Sequence, residues 1–337
     1  MRTQPVDLSE TLIVEGLAYY SVRPTALEYL PVGFGSHHWR AADRQGRSLF
    51  LTVDDLYAKL AGVDDTHDAV FERLSRAFAT AKTLRDRADL DFVVAPLAAQ
   101  DDSLAQRLTD RYSLAVFPML DGVTPDADGE FTSDTDRAAV LSILVELHAV
   151  ETTVASDVRE DPSLIPNRAE LMATMDDLAR PWNEGPYGEP ARRLLSAHAD
   201  DVVSLLGVYD RLAQNVSRDR NRMVITHGEP HAANVLITAD GYRLVDWDSV
   251  LVAPPERDLS MLGGGRDVLD TYSAATGVAV RPDAMDLYQM WFDLAEIAGY
   301  IRIFYGPHVG SADSAESWRN LTHFLRPRER WSGYFGT

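Results

Sequence analysis

A tight turn near residue 240 limits how this chain can fold. Residues 226–250 read THGEPHAANVLITADGYRLVDWDSV. Within them, the β-favouring segments VLIT and YRLVD are separated by Ala239-Asp240-Gly241, a strong signal for a hairpin turn. The sequence therefore predicts two paired strands that bring Asn234, just before the first strand, close to Asp246, at the end of the second.

The polar side chains around this hairpin suit phosphoryl transfer from a nucleotide. That reaction needs a carboxylate near the acceptor hydroxyl and oxygen ligands that hold Mg²⁺ on the phosphates. Glu229 can accept the proton of the acceptor, while Asn234 and Asp246 can offer an amide and a carboxylate oxygen to the metal. Because Mg²⁺ usually takes only one or two carboxylates beside phosphates and water, this small set of ligands suffices.

Three neighbouring polar residues admit more than one role. His227 and His231 have the four-residue spacing of a metal-binding pair on a helix. The intervening Gly-Glu-Pro favours a loop instead, so we interpret His227 as a buried structural donor within the catalytic segment and leave the role of His231 open. Asp248 is a candidate for a second metal ligand, a substrate contact or a solvated turn residue.

Length and composition indicate a globular protein. The chain has 337 residues, of which 45% are hydrophobic, enough for one large domain or two lobes. Its apolar runs are much shorter than the roughly 18 residues of a membrane span, and its N-terminus lacks a signal-peptide pattern. Without cysteine it can form neither disulfides nor thiolate metal sites. We expect a cytoplasmic protein with no membrane partner.

The charge of the chain is strongly negative. It has 52 acidic and 32 basic residues, a formal net charge of −20. Such a charge would repel a phosphate backbone, which argues against nucleic acid as a partner, and would attract a cationic ligand. A general solubility bias explains the same numbers equally well. Among the basic residues only Lys59 and Lys82 are lysines.

The order of predicted elements indicates an α+β fold. β-favouring runs between Leu27 and Val53 predict a small antiparallel sheet, and apolar spacing over His67 to Ala88 predicts a helix packed on it. The segments FVVAPLAA, from residue 92, and SLAVFPML, from residue 113, predict two more strands. The rest is mainly helical, with helices expected at Arg137 to Val150, Arg168 to Leu178, Glu189 to Gln214, Leu259 to Ala275 and Pro282 to Tyr305.

Taken together, these features resemble the aminoglycoside phosphotransferases and related small-molecule kinases. The pattern of that family is His-Gly-Asp, an Asn five residues after the Asp, and then a strand that ends in an Asp, and residues 227–246 are similar to it. The stretch LVAPPERDL at 251–259 resembles the family's segment after the metal-binding Asp, and we expect Asp258 within it to cap the following helix. The stretch Gly33-Phe34-Gly35-Ser36 resembles its short loop over the phosphates.

The resemblance implies a protein-kinase-like fold of two lobes. Residues 1–117 would form the N-terminal nucleotide-binding lobe, and residues 118–337 the helical lobe with the catalytic segment and the acceptor site. The nucleotide base would lie at the hinge, against Phe117 and Leu120. The implied cofactors are Mg²⁺ and ATP or GTP. The implied acceptor is a small hydroxyl-bearing molecule, first an antibiotic and then an amino alcohol, a sugar or a nucleoside.

This chain departs from the family pattern at two positions. Glu229 stands where the family has Asp, and its extra methylene moves the carboxylate by about 1 Å, a shift that can lower a rate roughly a hundredfold when geometry is rigid. Thr52 stands where the strand of the kinase pattern carries its phosphate-binding Lys. Lys59, seven residues later, or Arg40 on the preceding strand are possible sources of the charge; Lys82 lies near the end of the predicted helix.

These departures keep a second hypothesis open, a nucleotide-binding pseudokinase or regulatory module. The retained carboxylate and metal ligands favour a working enzyme. The acceptor region after residue 259 carries acidic side chains that suit a cationic acceptor and would equally suit a solvated helix face. They are Asp267, Asp270, Asp293 and Glu296.

Overall fold

An antiparallel sheet of five strands forms the first part of the computed structural model, which describes residues 1–126, 129–155, 157–216 and 219–334. The strand order is β1-β2-β3-β5-β4. The strands are β1 (Pro24–Leu30), β2 (Ser36–Asp43), β3 (Ser48–Asp55), β4 (Gln106–Arg107) and β5 (Tyr112–Pro118). The small antiparallel sheet predicted from the sequence is therefore confirmed. The predicted lobe boundary, between residues 117 and 118, falls at the end of β5 and stays a prediction.

One helix packs on each face of this sheet. Helix α1 (Glu10–Ala18) shares a buried core with Leu51 and Val53 of β3. Because side chains alternate along a strand, Thr52 and Asp54 lie on the opposite face. That face carries α2 (His67–Arg87), the helix predicted from the apolar spacing. No element was predicted for the segment that forms α1.

The second part of the chain is mainly helical. Its longest helices, α5 (Gly188–Val216) and α8 (Pro282–Tyr305), pack together around a core of their own. Among the described residues, no helix is both long and apolar enough to cross a bilayer. The other helices are α3 (Asp134–His148), α4 (Arg168–Asp176), α6 (Glu256–Leu259), α7 (Arg266–Thr276), α9 (Ala312–Phe324) and α10 (Pro327–Arg330), with short 3₁₀ turns at Thr152–Ala155, Arg220–Arg222, Ala232–Asn234 and Trp247–Ser249.

Short strands frame the segment around residue 240. They are β6 (Gly122–Val123), β7 (Val224–Thr226), β8 (Val235–Thr238), β9 (Gly241–Leu244) and β10 (Leu251–Ala253). The predicted hairpin is confirmed, because β8 and β9 pair antiparallel with Val235 opposite Leu244. Gly241 closes the turn with a φ of +107°, in a region that favours glycine. Strand β7 pairs with β10, so the chain before and after the hairpin is tied together.

Two predictions of secondary structure were wrong. The segment FVVAPLAA forms no strand: it is interrupted by Pro96, and Val93 makes one isolated bridge to Leu244. The helix expected from Leu259 to Ala275 is split into α6 and α7 by Gly263-Gly264-Gly265, all three of which have positive φ. No element was predicted for the segment that forms α9, which begins with a capping box at Ser311.

Candidate active site

The loop between β7 and β8, residues 227–234, is held in shape by its own histidine. Nε2 of His227 donates a hydrogen bond to the carbonyl of Val245 (2.9 Å), and Nδ1 accepts one from the backbone N–H of Glu229 (3.2 Å). These two bonds require a neutral ring with its proton on Nε2. Consistent with this, burial lowers the pKa of His227 to about 4. His227 is thus buried and donates a structural hydrogen bond, as interpreted from the sequence, and its part in catalysis stays a prediction.

Asp258 binds the backbone of the same loop. Its carboxylate is fully buried and accepts hydrogen bonds from the backbone N–H groups of His227 (2.9 Å) and Gly228 (2.6 Å), and from Nε2 of His148 (3.1 Å). Burial alone would raise the pKa of Asp258, but the bond from His148 and the neighbouring charges hold it below its usual value. The prediction that Asp258 caps the following helix was wrong, because it lies inside α6 and binds loop amides instead.

Arg257 joins this loop to the turn that follows β9. Its guanidinium is buried and donates to Oγ1 of Thr226 (2.9 Å) and to the carbonyl of Ser249 (2.8 Å). A Cβ on Gly228, whose φ is +101°, would overlap that guanidinium. Gly228 is therefore needed both for its backbone conformation and for the close approach of Arg257.

Asn234 and Asp246, the predicted metal ligands, lie on adjacent parts of the hairpin. Nδ2 of Asn234 donates to the carbonyl of Glu229 (3.0 Å), which leaves Oδ1 as its oxygen donor. The backbone N–H of Val245 donates to the carbonyl of Asn234 (3.0 Å), so the residue before Asp246 is bonded directly to Asn234. Asp246 has a φ of +64°, a conformation that is rare outside glycine and is often found at functional sites.

Glu229 projects from this loop into an acidic environment. Removal from bulk water, together with the carboxylates of Asp248 and Glu296, raises the pKa of Glu229 to about 7. Its side chain is still 37% exposed, and it lies 3.9 Å from Nε2 of His231. A carboxylate with this pKa and this exposure is suited to accept a proton near neutral pH.

Lys59 connects the sheet to the segment after β9. Its Nζ lies 2.6 Å from Oδ2 of Asp248 and 3.3 Å from Oδ1 of Asp54. Burial lowers the pKa of Lys59, but Asp248, Asp54 and Asp246 together raise it well above the usual value, so the ammonium is charged. Asp248 was a candidate metal ligand, and one of its oxygens is bonded to Lys59; its metal role stays a prediction.

The glycine-containing stretch at 33–36 leads from β1 into the start of β2. Gly33 and Gly35 have φ values of +69° and +87°, and Ser36 donates to Oδ1 of Asp54 (2.7 Å). Oγ1 of Thr52 lies 3.4 Å from Nδ1 of His38, whose pKa burial lowers to about 3. The predicted contacts of Gly33, Gly35, Ser36 and Thr52 with nucleotide phosphates stay predictions.

The predicted hinge residues lie at the end of β5 and just beyond it. The ring of Phe117 meets Phe78 of α2 edge to face, with centroids 5.9 Å apart. Leu120 is partly buried. Their contact with a nucleotide base stays a prediction.

The four acids expected near the acceptor have different environments. Asp293 is buried and accepts from Arg330 (2.5 Å) and from the indole of Trp331 (2.8 Å), so it is structural. Asp267 and Asp270 belong to α7, and the second of them is 71% exposed. Only Glu296, on α8, acts on Glu229, because its carboxylate raises the pKa of the latter. Burial raises the pKa of Glu296 as well.

Two residues of this region received no role from the sequence. Asp54 could have been identified from the alternation of side chains along β3, which places it on the same face as Thr52. Arg257 lies in the stretch LVAPPERDL, whose resemblance to the family segment says nothing about which side chain is buried. Its function as a brace depends on tertiary contacts.

Comparison with known proteins identifies the family. A sequence model described as "Phosphotransferase enzyme family" matches residues 28–300, most of the chain. The chain belongs to the phosphotransferase enzyme family. It is also similar to protein StrN of Streptomyces griseus, with 29% identity over 242 residues, which are 69% of this chain and 72% of StrN.

Solved structures extend this family assignment to the whole fold. A spectinomycin phosphotransferase in complex with ADP and spectinomycin superposes with a TM-score of 0.69 at 17% identity, over 96% of both chains. An amicoumacin kinase in complex with AMP-PNP, Ca²⁺ and Ami superposes with a TM-score of 0.52 at 12% identity, over 94% of this chain and 93% of that one. This phosphotransferase therefore has the two-lobe, protein-kinase-like α+β fold, and the resemblance noted from the sequence is confirmed. It is a small-molecule phosphotransferase.

Proposed function

We propose that this enzyme transfers the γ-phosphoryl group of ATP or GTP to a hydroxyl of an antibiotic, either an aminoglycoside-like compound or another natural product. The observation that supports this most is the arrangement of Glu229, Asn234 and Asp246. The side chain of Glu229 is partly exposed, and the backbone of Asn234 is hydrogen-bonded to Val245, the residue before Asp246. Glu229, Asn234 and Asp246 offer the set of groups that phosphoryl transfer requires.

The residues present fit Mg²⁺. Oδ1 of Asn234 is left as an oxygen donor because its amide nitrogen is engaged by the carbonyl of Glu229, and Asp246 offers a carboxylate. Mg²⁺ prefers such oxygen ligands and keeps phosphates and water as the rest. When bound, the ion would neutralise charge on the nucleotide phosphates. Asn234 and Asp246 would hold it, and Asp248 would contribute its second oxygen if Lys59 keeps the first.

Glu229 would act as the base. Its carboxylate takes the proton of the acceptor hydroxyl while the acceptor oxygen bonds to the γ-phosphorus and the bond from that phosphorus to the leaving nucleoside diphosphate breaks. His227 would not touch the reacting atoms; it would fix the backbone N–H of Glu229. Because positioning dominates in a loose transition state, a correctly held Glu can replace the Asp of the family pattern.

The nucleotide would occupy the space between the proposed lobes, residues 1–117 and 118–337. Its base would lie against Phe117 and Leu120, and Gly33-Phe34-Gly35-Ser36 would cover the phosphates. An enzyme that depends on ATP or GTP would work in the cytoplasm.

The acceptor would carry a positive charge. The carboxylates of Asp248 and Glu296 both raise the pKa of Glu229, so three carboxylates lie in this region. An amino group on the acceptor would offset this charge. The similarity to a spectinomycin phosphotransferase and an amicoumacin kinase supports an antibiotic as the acceptor.

The test is a phosphorylation assay. The protein is incubated with Mg²⁺ and ATP or GTP against a panel of aminated antibiotics and amino alcohols, and products are screened by mass for the gain of one phosphate. We expect Asp246→Ala to abolish the product and Asp240→Ala, an exposed change in the turn of the same hairpin, to leave it intact. Turnover that survives Asp246→Ala would remove the metal assignment, and the absence of both nucleotide binding and product would contradict the function.

A further inference from the structure

We propose that Lys59 supplies the positive charge for the nucleotide phosphates, and that it does so from a loop anchored to the helical lobe instead of from strand β3. This inference rests on the proposed function, since it assumes a nucleotide between the lobes. It identifies the group that replaces the lysine missing at Thr52.

The position of the ammonium is the first argument. Lys59 Nζ bonds to Asp248, two residues after the predicted metal ligand Asp246, and to Asp54 on the face of β3 that also carries Thr52. A lysine at residue 52 would point to this same face. Lys59 therefore brings its charge to the region where the kinase pattern places it, although it starts seven residues further along the chain.

The other basic side chains considered for this role are engaged elsewhere. Arg40 is exposed and donates to Ser48 at the far end of the strand pair (3.4 Å). Lys82, on α2, pairs with Asp86 four residues later. Arg257 is buried against the carbonyl of Ser249 and the hydroxyl of Thr226. A lysine suits phosphate as a compact point charge, and Lys59 can exchange a carboxylate for a phosphate oxygen without leaving its place.

The anchor of the loop is the second argument. Arg302, on α8, donates to the carbonyls of Tyr57 (3.3 Å) and Leu60 (3.4 Å), and its guanidinium lies 5.0 Å from the centroid of the Tyr57 ring. The backbone N–H of Asn167, before α4, donates to the carbonyl of Ala61 (2.7 Å). These contacts lie on both sides of Lys59. Its charge is thereby held relative to Asp246 and Asp248, which belong to the same lobe as Arg302.

The local charge is the third argument. Asp54, Asp246, Asp248 and Glu229 all act on this small region, and all except Asp54 belong to the segment around the hairpin. Triphosphate would be repelled by four carboxylates unless cations offset them. Mg²⁺ would offset part of this charge, and Lys59 is the side chain placed to offset more.

The experiment compares the affinity for ATP with the affinity for adenosine, measured by calorimetry with Lys59→Met, Lys59→Arg and the control Lys82→Met. A charged contact with phosphate affects ATP and leaves adenosine unchanged. We expect Lys59→Met to weaken ATP binding roughly 10- to 100-fold, the range for a hydrogen bond to a charged group. Lys59→Arg should keep the charge and lose less, and Lys82→Met should change neither affinity.

Each outcome separates the two proposals. In one outcome, the unmodified protein binds adenosine and ATP, and Lys59→Met lowers the two affinities equally or lowers neither. Lys59 then does not contact phosphate, and the inference is wrong while the proposed function stands. If the unmodified protein does not bind ATP, the proposed function fails first. Thermal unfolding of each variant checks that it is folded. If Lys59→Met does not fold, the comparison is made with Lys59→Arg.

The positioning role of Arg302 is tested separately. Arg302→Ala should weaken ATP binding severalfold when Lys59 is present and cause no further loss in the Lys59→Met background, because Arg302 acts through Lys59. Equal losses in both backgrounds would overturn its role as a positioning residue.

Discussion

Two loops of this phosphotransferase carry groups of the proposed site, and they are held in different ways. The 227–234 loop is braced by the buried charged side chains of Asp258 and Arg257, which bond to its backbone and to its flanking strand. The 56–62 loop with Lys59 is attached to the helical part of the chain through its backbone carbonyls, by Arg302 and by the N–H of Asn167. The first loop follows the family pattern in sequence, and the second has no such pattern.

The difference shows which parts of a site a motif can specify. At the first loop, Glu229, Asn234 and Asp246 all lie within residues 229–246, so the hairpin signalled in the sequence determines how these three residues meet in space. In the second loop, Lys59 bonds to Asp248, which lies 189 positions later in the sequence. A group that replaces a missing family residue can therefore come from a loop whose position depends on the packing of the other lobe.

The largest expected effect is on Glu229, at the centre of the braced loop. Glu229→Gln keeps the size of the side chain but removes its ability to accept a proton. We expect turnover to fall by roughly 10²- to 10⁴-fold, the usual contribution of a positioned base. Nucleotide affinity, measured by calorimetry, should stay within error of the unmodified enzyme. Unchanged turnover would show that Glu229 is not the base.

The pH profile provides a control for that result. Because the raised pKa of Glu229 is about 7, the carboxylate is protonated and inactive below this pH. We expect kcat/KM for the acceptor to rise about tenfold per pH unit on the acid side and to level off above about 7. The residual activity of Glu229→Gln should lack this acid limb; an identical limb in both proteins would assign it to another group.

The next effect concerns the brace itself. Asp258→Ala leaves the N–H groups of His227 and Gly228 and the ring of His148 without their buried acceptor. We expect the free energy of unfolding in urea to fall by roughly 3–5 kcal/mol, as when one partner of a buried charged network is removed. The exposed Asp270→Ala serves as the control.

Arg302→Ala tests the comparison between the loops. It removes two long hydrogen bonds to carbonyls and the contact of the guanidinium with the Tyr57 ring, so the free energy of unfolding should fall by about 1–2 kcal/mol. If Asp258→Ala and Arg302→Ala lower the free energy of unfolding equally, the two loops are not held differently.

The same contrast explains how much could be predicted from the sequence. The hairpin, the adjacency of Asn234 and Asp246, and helix α2 follow from turn residues and apolar spacing, which are local signals. The role of Asp258 could not be predicted, because the residues whose N–H groups it binds lie 30 and 31 positions away. The split between α6 and α7 could have been predicted, because three consecutive glycines indicate a break in a helix. The apolar spacing alone predicted one continuous helix.

The smallest expected effect concerns Thr52, where the kinase pattern has its lysine. Thr52→Lys in the otherwise unmodified enzyme adds a second cation near a site already served by Lys59, so ATP affinity should tighten by less than about fivefold. In the Lys59→Met background the same change should restore much of the lost affinity, because residue 52 and Asp54 share a face of β3. Thr25→Lys, on the exposed strand β1, is the control for the added charge. Calorimetry that finds strong tightening in the unmodified enzyme would mean that Lys59 does not already serve the phosphates, and no recovery in the Lys59→Met background would mean that residue 52 does not face them.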